Sequence, residues 1–267
     1  MNIDWNATNY TNHFSFVHQF GEDVLKLIDA PAGSLVLDLG CGNGALSKKL
    51  QELGFLVRGM DASEDMLAVA RQRFPDVIFE KGDATQFTLQ SPVDVIFSNA
   101  VFHWIDAEKQ DALAAHIAAA LKPGGSLVCE FGGRNCAESV HVMLEQCFAE
   151  RGLVYSRFNY FPTIAEYTAV LERNGLRPDY AALFDRPTPQ SPGKTVVDWI
   201  EMFVREPFRG MEEKQKAEIL QEAESRLRPK LCKDGRWIID YVRIRVRARK
   251  LYCNAALICT FFLKRGL

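Results

Sequence analysis

The chain lacks any overall excess of positive charge. Its 267 residues carry 32 Lys and Arg against 34 Asp and Glu, so neither nucleic acid nor an anionic membrane surface is an expected partner. It has no C-x-x-C pair: the seven cysteines, at 41, 129, 136, 147, 232, 253 and 259, are odd in number and scattered. They read as reduced thiols of a cytoplasmic protein rather than as a disulfide framework. Cys136, His141 and Cys147 are spaced too irregularly for a zinc site, and no metal is expected. Long apolar runs are missing as well. The stretch from Leu251 to Leu263 is interrupted by Asn254 and Thr260 and falls short of the ~20 residues of a membrane-spanning helix. Met1 to Asn6 carry no basic segment followed by an apolar run, so no secretory signal is expected, and there is no internal repeat.

What the chain does have is the composition of a globular protein, 48% hydrophobic and 25% charged, with a length that suits one large domain or two small ones. Short aliphatic runs alternate with helical patterns. Leu35–Leu39, Leu56–Met60, Val77–Glu80, Val93–Ser98 and Leu127–Phe131 predict strands. Leu46, Leu50 and Leu53, then Leu67, Ala70 and Phe74, then Leu113, Ile117 and Leu121 supply helical faces between them. This order predicts an α/β fold with a parallel sheet. Lys122-Pro123-Gly124-Gly125 is expected to stop a helix and turn the chain into the fifth strand. Thr163-Ile164-Ala165-Glu166 fits a capping box opening a helix that ends near Asn174-Gly175, with a sixth strand around Tyr180 to Phe184. Prolines 187, 189 and 192 then open a helical cap over about 190–232. From Tyr241 to Lys250, Val242, Ile244, Val246 and Ala248 alternate with Arg243, Arg245, Arg247 and Arg249, which predicts an edge strand solvated on its arginine side.

The chemistry concentrates at strand ends. Val36-Leu37-Asp38-Leu39-Gly40-Cys41-Gly42-Asn43-Gly44 runs from a strand through a glycine-rich turn into a helix, which marks a cofactor site at the carboxyl edge of the sheet. The glycines alone do not name the cofactor, since Gly40, Gly42 and Ala45 also satisfy the looser pattern of dinucleotide-binding domains. Asp38 would repel a pyrophosphate but suit an ammonium group. Asp61, ending the second strand, stands where a carboxylate accepts from ribose hydroxyls. Asp83 and Ala84, after the third strand, would suit adenine.

Together these residues and Leu121-Lys122-Pro123-Gly124-Gly125 resemble the class I S-adenosylmethionine-dependent methyltransferases. Ser98-Asn99-Ala100-Val101-Phe102-His103-Trp104, Trp5 to Phe16, and Gly235-Arg236-Trp237 through Arg245 narrow the resemblance to the branch of trans-aconitate methyltransferases and malonyl-carrier-protein methyltransferases. The resemblance implies a Rossmann-like sheet of seven strands, mostly parallel with the last reversed, and helices on both faces. It implies S-adenosylmethionine as cofactor, with Gly40, Cys41, Gly42 and Gly44 around the methionine part and Asp38 near its amine. Asp61 and Ala62 would lie at the ribose, Asp83 and Ala84 at adenine, and Asn99 at the sulfonium.

A sulfonium methyl needs an in-line nucleophile in a dry site, and a base only if the acceptor is protonated. His103 is the candidate to contact or deprotonate an acceptor. Residues 1–33 read as a helical lid, with Tyr10 as a second catalytic candidate and His13 as an acceptor contact. Trp104, Arg134 and Trp199 are further candidate acceptor contacts, Arg134 as a clamp for an acidic group. Residues 34–250 form the methyltransferase domain, and 251–267 extend past it without an assigned role. The expected reaction is methylation of a small molecule, such as a carboxylic acid, on oxygen. A carrier-bound acyl group or a macromolecule is the alternative acceptor, and a protein that binds the cofactor without turnover is the non-enzymatic alternative.

Overall fold

A computed structural model describes residues 23–252. The strands are β1 (Leu35–Leu39), β2 (Leu56–Asp61), β3 (Ile78–Lys81), β4 (Val93–Asn99), β5 (Leu121–Gly132), β6 (Leu176–Pro189), β7 (Cys232–Lys233) and β8 (Arg236–Lys250). The helices are α1 (Ala45–Glu52), α2 (Glu64–Arg73), α3 (Gln110–Ala120), α4 (Glu138–Ala149), α5 (Ile164–Arg173), α6 (Val196–Phe203) and α7 (Glu213–Leu231). The sheet runs in the order β3-β2-β1-β4-β5-β8-β6, with β7 forming a short hairpin onto β8. β1 to β5 are parallel, and β8 is antiparallel to both of its neighbours. This is the seven-stranded, reversed-last-strand sheet that the resemblance implies.

Alternation along the strands splits the core in two. Leu37, Leu39, Ile96, Leu127, Cys129, Phe131, Ile244 and Val246 pack with α3 and α5 on one face, while Val36, Val95, Phe97 and Val128 pack with Val24, Leu25 and α1 on the other. Side chains of successive residues leave a strand on opposite faces, so β1 and β4 must be apolar on both to be buried this way. Local signals fix the helix starts. Thr163 and Glu166 close the expected capping box, Thr163 N–H donating to Glu166 at 2.7 Å and Glu166 N–H to Thr163 Oγ1 at 3.2 Å. Ser63 Oγ caps α2 through Met66 N–H.

Three expectations are corrected. Lys122 to Gly125 lie within β5 rather than before it, and the pairing with β4 shifts register there, between Val93 and Val95, so the Pro-Gly-Gly segment is absorbed as an irregularity. The arginine-alternating segment is not an edge strand: β8 lies between β5 and β6, and β6 forms the edge. Nor is its arginine side left to solvent. Arg245 pairs with the buried Glu130, which also binds Arg186. Arg247 and Arg249 pair with Asp179, and Arg249 also with Asp29.

Helices α6 and α7 sit between β6 and β8 and pack with α4 and the start of β8 into a second core containing Val140, Leu144, Trp199, Ile200, Leu227, Trp237, Ile239 and Tyr241. No helix among the described residues is long and apolar enough to cross a membrane.

Candidate active site

The parallel register brings Asp38, Asp61, Asp83 and Asn99 to the carboxyl ends of the adjacent strands β1, β2, β3 and β4. The turn after β1 is folded back on β2, with Gly40 and Cys41 N–H both donating to Met60 carbonyl oxygen, at 2.7 and 3.0 Å. Gly40 has φ of 80°, and a methyl group there would overlap Val101, so only glycine serves. Gly44, at φ of 79°, opens α1 with a hypothetical Cβ only 2.6 Å from Phe79 Cζ.

The carboxylates are held by their own surroundings yet keep capacity to accept more. Asp38, 2% exposed, accepts from Ser47 Oγ at 2.6 Å through Oδ2, and Oδ1 makes no hydrogen bond among the described residues. Burial pushes its pKa up to about 7, with the Ser47 hydroxyl opposing and the Asp61 charge adding. Asp61 accepts from Gly42 N–H at 2.9 Å and Ser63 N–H at 2.8 Å, one bond on each oxygen, and burial raises its pKa against those bonds and one from Ala62 N–H. Asp61 thus ties the end of β2 to the glycine turn. Asp83 takes both of its bonds on Oδ1, from Thr85 N–H and Oγ1 at 2.8 Å. Although burial pushes upward, these bonds hold its pKa below the ordinary value. Ala84 is buried beside it, and Cys41 is buried within the turn. This donor and acceptor set fits S-adenosylmethionine: an accepting carboxylate oxygen for an ammonium, carboxylate lone pairs for hydroxyls, and a free carboxylate oxygen for an exocyclic amine.

Beyond β4 the chain turns sharply. Ala100 has φ of 60° and donates its N–H to Glu130 carbonyl oxygen at 2.7 Å. Val101 covers Gly40, and a short 3-10 turn, Phe102–Trp104, follows. Ala100 therefore joins the cofactor turn to a second cavity, whose polar and aromatic walls include His103, Trp104, Asn159, Trp199, Tyr241 and Arg243. Trp199 Nε1 donates to Tyr241 Oη at 2.6 Å, which fixes one wall. Trp104 stacks between Phe158 and Phe203.

His103 is buried, and its Nδ1 accepts from Gly132 N–H at 3.2 Å. A backbone N–H can only donate, so Nδ1 is unprotonated and the neutral ring carries its hydrogen on Nε2. Burial, then the nearby Arg243 charge, keeps the pKa well below its ordinary value.

The cavity thus brings together three residues singled out in the sequence, His103, Trp104 and Trp199, and excludes a fourth. Arg134 is exposed and does not line it; its N–H donates to Pro162 carbonyl oxygen. Tyr10 and His13 lie outside the described residues, as do residues 1–22 of the segment expected as a lid and residues 253–267, whereas Val24 and Leu25 of that segment are buried in the core. Arg243 was hidden in what reads as a solvated arginine row. Its burial follows from the place of β8 beside β5, where it stands opposite Gly132.

Comparison with known proteins shows the family. Residues 36–125 match the model of a methyltransferase domain. An uncharacterized methyltransferase of a Geobacillus species is 32% identical over 179 residues, covering 64% of this chain and 83% of that protein. Trans-aconitate 2-methyltransferase of Klebsiella pneumoniae is 28% identical over 256 residues, 93% of this chain and 98% of that enzyme. The crystal structure of a candidate methyltransferase from Bacillus halodurans shares the fold with a TM-score of 0.62, at 15% identity over 88% of this chain and all of that one. The chain belongs to the methyltransferase family and is a class I enzyme that uses S-adenosylmethionine.

Proposed function

We propose that this enzyme methylates a small carboxylic acid on oxygen, in the cytoplasm, within the cavity bounded by His103, Trp104 and Trp199. The observation that carries the proposal is the protonation of His103. Its Nδ1 accepts from Gly132 N–H, so the ring offers Nε2–H as a donor, and burial with the nearby Arg243 charge disfavours the protonated ring. Among the described residues no Asp or Glu lines the cavity, and burial raises the pKa of the Cys136 thiol. A site without a base suits a nucleophile that is already ionised at pH 7, which among oxygen acceptors is a carboxylate.

S-adenosylmethionine supplies an electrophilic methyl group on a sulfonium. Asp38, Asp61, Ala62, Asp83, Ala84 and Asn99 would hold it at the strand ends, with Asp38 toward the amine, Asp61 toward the ribose and Asp83 toward adenine. Bound there, it would supply that methyl group to a carboxylate oxygen of the acceptor, with the electron pair of the carbon–sulfur bond left on sulfur, and methyl ester and S-adenosylhomocysteine would be the products. No proton moves. His103 orients the acceptor through Nε2–H, and Trp104 and Trp199 exclude water, so positioning and desolvation provide the catalysis. The relatives named as trans-aconitate methyltransferases support the acceptor class.

The test is transfer of radiolabelled methyl from S-adenosylmethionine to a panel of small acids that includes trans-aconitate. Label released as methanol by mild alkali is the expected result. Transfer only to amines or alcohols, giving alkali-stable products, would overturn the reading.

A further inference from the structure

Four arginines, 243, 245, 247 and 249, project from the same face of β8, and three of them have acidic partners at 2.7 or 2.8 Å. Arg243 has none. It is 9% exposed and its Nε is buried without a hydrogen-bond partner. It makes no ion pair among the described residues, and its guanidinium lies 4.7 Å from the centre of the Tyr241 ring. The side chain lines the proposed acceptor cavity together with His103 and Trp199. A buried guanidinium without a counter-charge is costly, and a fold retains one where a ligand supplies the missing anion. The internal contrast is direct: the neighbouring Arg245, two residues on along the same face, was given Glu130 and a second guanidinium, Arg186, shares that carboxylate.

We infer that Arg243 is an anion anchor for the acceptor, binding an acidic group other than the one that is methylated. This rests on the proposed carboxylate methylation in the choice between the two groups. In that reaction the negative charge of the attacking carboxylate disappears as the neutral ester forms. A guanidinium clamped on that carboxylate would stabilise the ground state more than the transition state and slow the reaction. On an acidic group that keeps its charge, the same guanidinium holds substrate and transition state alike and fixes the acceptor's register in the cavity. The planar fork favours a carboxylate, and Tyr241 beneath it restricts the plane in which that carboxylate can approach. The expected acceptor is therefore a compound with at least two acidic groups, and the product is its monoester.

The test uses the full chain saturated with S-adenosylhomocysteine, titrated calorimetrically with fumarate, glutarate and adipate, each against the monocarboxylic acid of equal length. The wild type should bind at least one diacid about tenfold or more tighter than its monoacid, and Arg243→Met should abolish that preference, the fold-change expected for loss of a charged hydrogen-bond pair. Arg243→Met should also keep its affinity for S-adenosylhomocysteine and a melting temperature no lower than wild type without acid present, because the unpaired charge has been removed. Should Arg243→Met fail to fold, Arg243→Lys carries the same test and should bind the diacid at an intermediate affinity. Equal diacid affinity in wild type and variant, or no diacid binding by the wild type, overturns the anchor. A fall in stability with diacid binding intact would make Arg243 a structural residue and overturn it equally. Diacid binding that depends on Arg243 with no ester formed would leave the anchor standing and refute carboxylate methylation instead. Ester formation from both acids of each pair, indifferent to Arg243, would do the reverse.

Discussion

The backbone N–H of Gly132 donates to Nδ1 of His103 across 3.2 Å, and this one bond decides which proton the cavity can offer. It comes from β5, the strand paired with β8 directly opposite Arg243. The histidine's tautomer and the arginine's position are thus set by the same stretch of sheet.

A donor role for His103 predicts a specific pattern of variants. His103→Ala should slow transfer by about tenfold to a hundredfold through loss of orientation, with S-adenosylmethionine affinity unchanged by calorimetry. His103→Gln retains an N–H donor and should recover part of the rate. A base would not be replaced by glutamine.

The proposed place of Asp38 beside the cofactor's amine predicts that cofactor binding depends on pH. Its carboxyl is protonated in half of the free enzyme near pH 7, while an ammonium placed beside it favours the ionised form, so binding releases a proton. Affinity should rise with pH and level off above about 7, giving binding about tenfold weaker at pH 6 than at pH 8. Asp38→Asn should flatten this dependence. Stability of the cofactor-free protein runs the other way. The folded pKa lies above the ordinary 3.8, so the folded state holds the extra proton between the two values, and this contribution is complete below the unfolded pKa and is lost as pH rises through about 7.

Asp61→Ala removes the link between β2 and the glycine turn together with the proposed ribose contact. The affinity for S-adenosylmethionine should fall by about 1.5–3 kcal/mol, tenfold or more. Unchanged affinity in a folded variant would remove Asp61 from the cofactor site.

Glu130, 2% exposed, neutralises one of the two guanidiniums it binds, Arg186 and Arg245. Glu130→Gln removes the buried carboxylate that the two guanidiniums share and should cost about 3–5 kcal/mol, read as a lowered denaturation midpoint at unchanged slope.

Much of the cofactor half was legible in the residues. Five strands, the turn at Gly40 to Gly44 and the aspartates at successive strand ends follow from short-range pattern, because a parallel sheet places every strand end at one edge. What escaped is non-local. Alternation in β8 is the same whether its arginines meet water or buried acids, and only the strand order, with β8 inserted between β5 and β6, distinguishes the two. Arg134, conspicuous after two glycines, is exposed, whereas Arg243 is buried because the sheet continues past it. The tautomer of His103 depends on a bond to a residue 29 positions away, which no local pattern announces.

Transfer without a base, as proposed, is probed by the dependence of kcat on pH at saturating donor and acid. A flat profile is expected from about pH 6.5 to 9, since the acceptor carboxylate stays ionised and burial keeps His103 neutral throughout that interval. A tenfold rise per pH unit ending in a plateau within that range would show a required deprotonation and rule out base-free transfer.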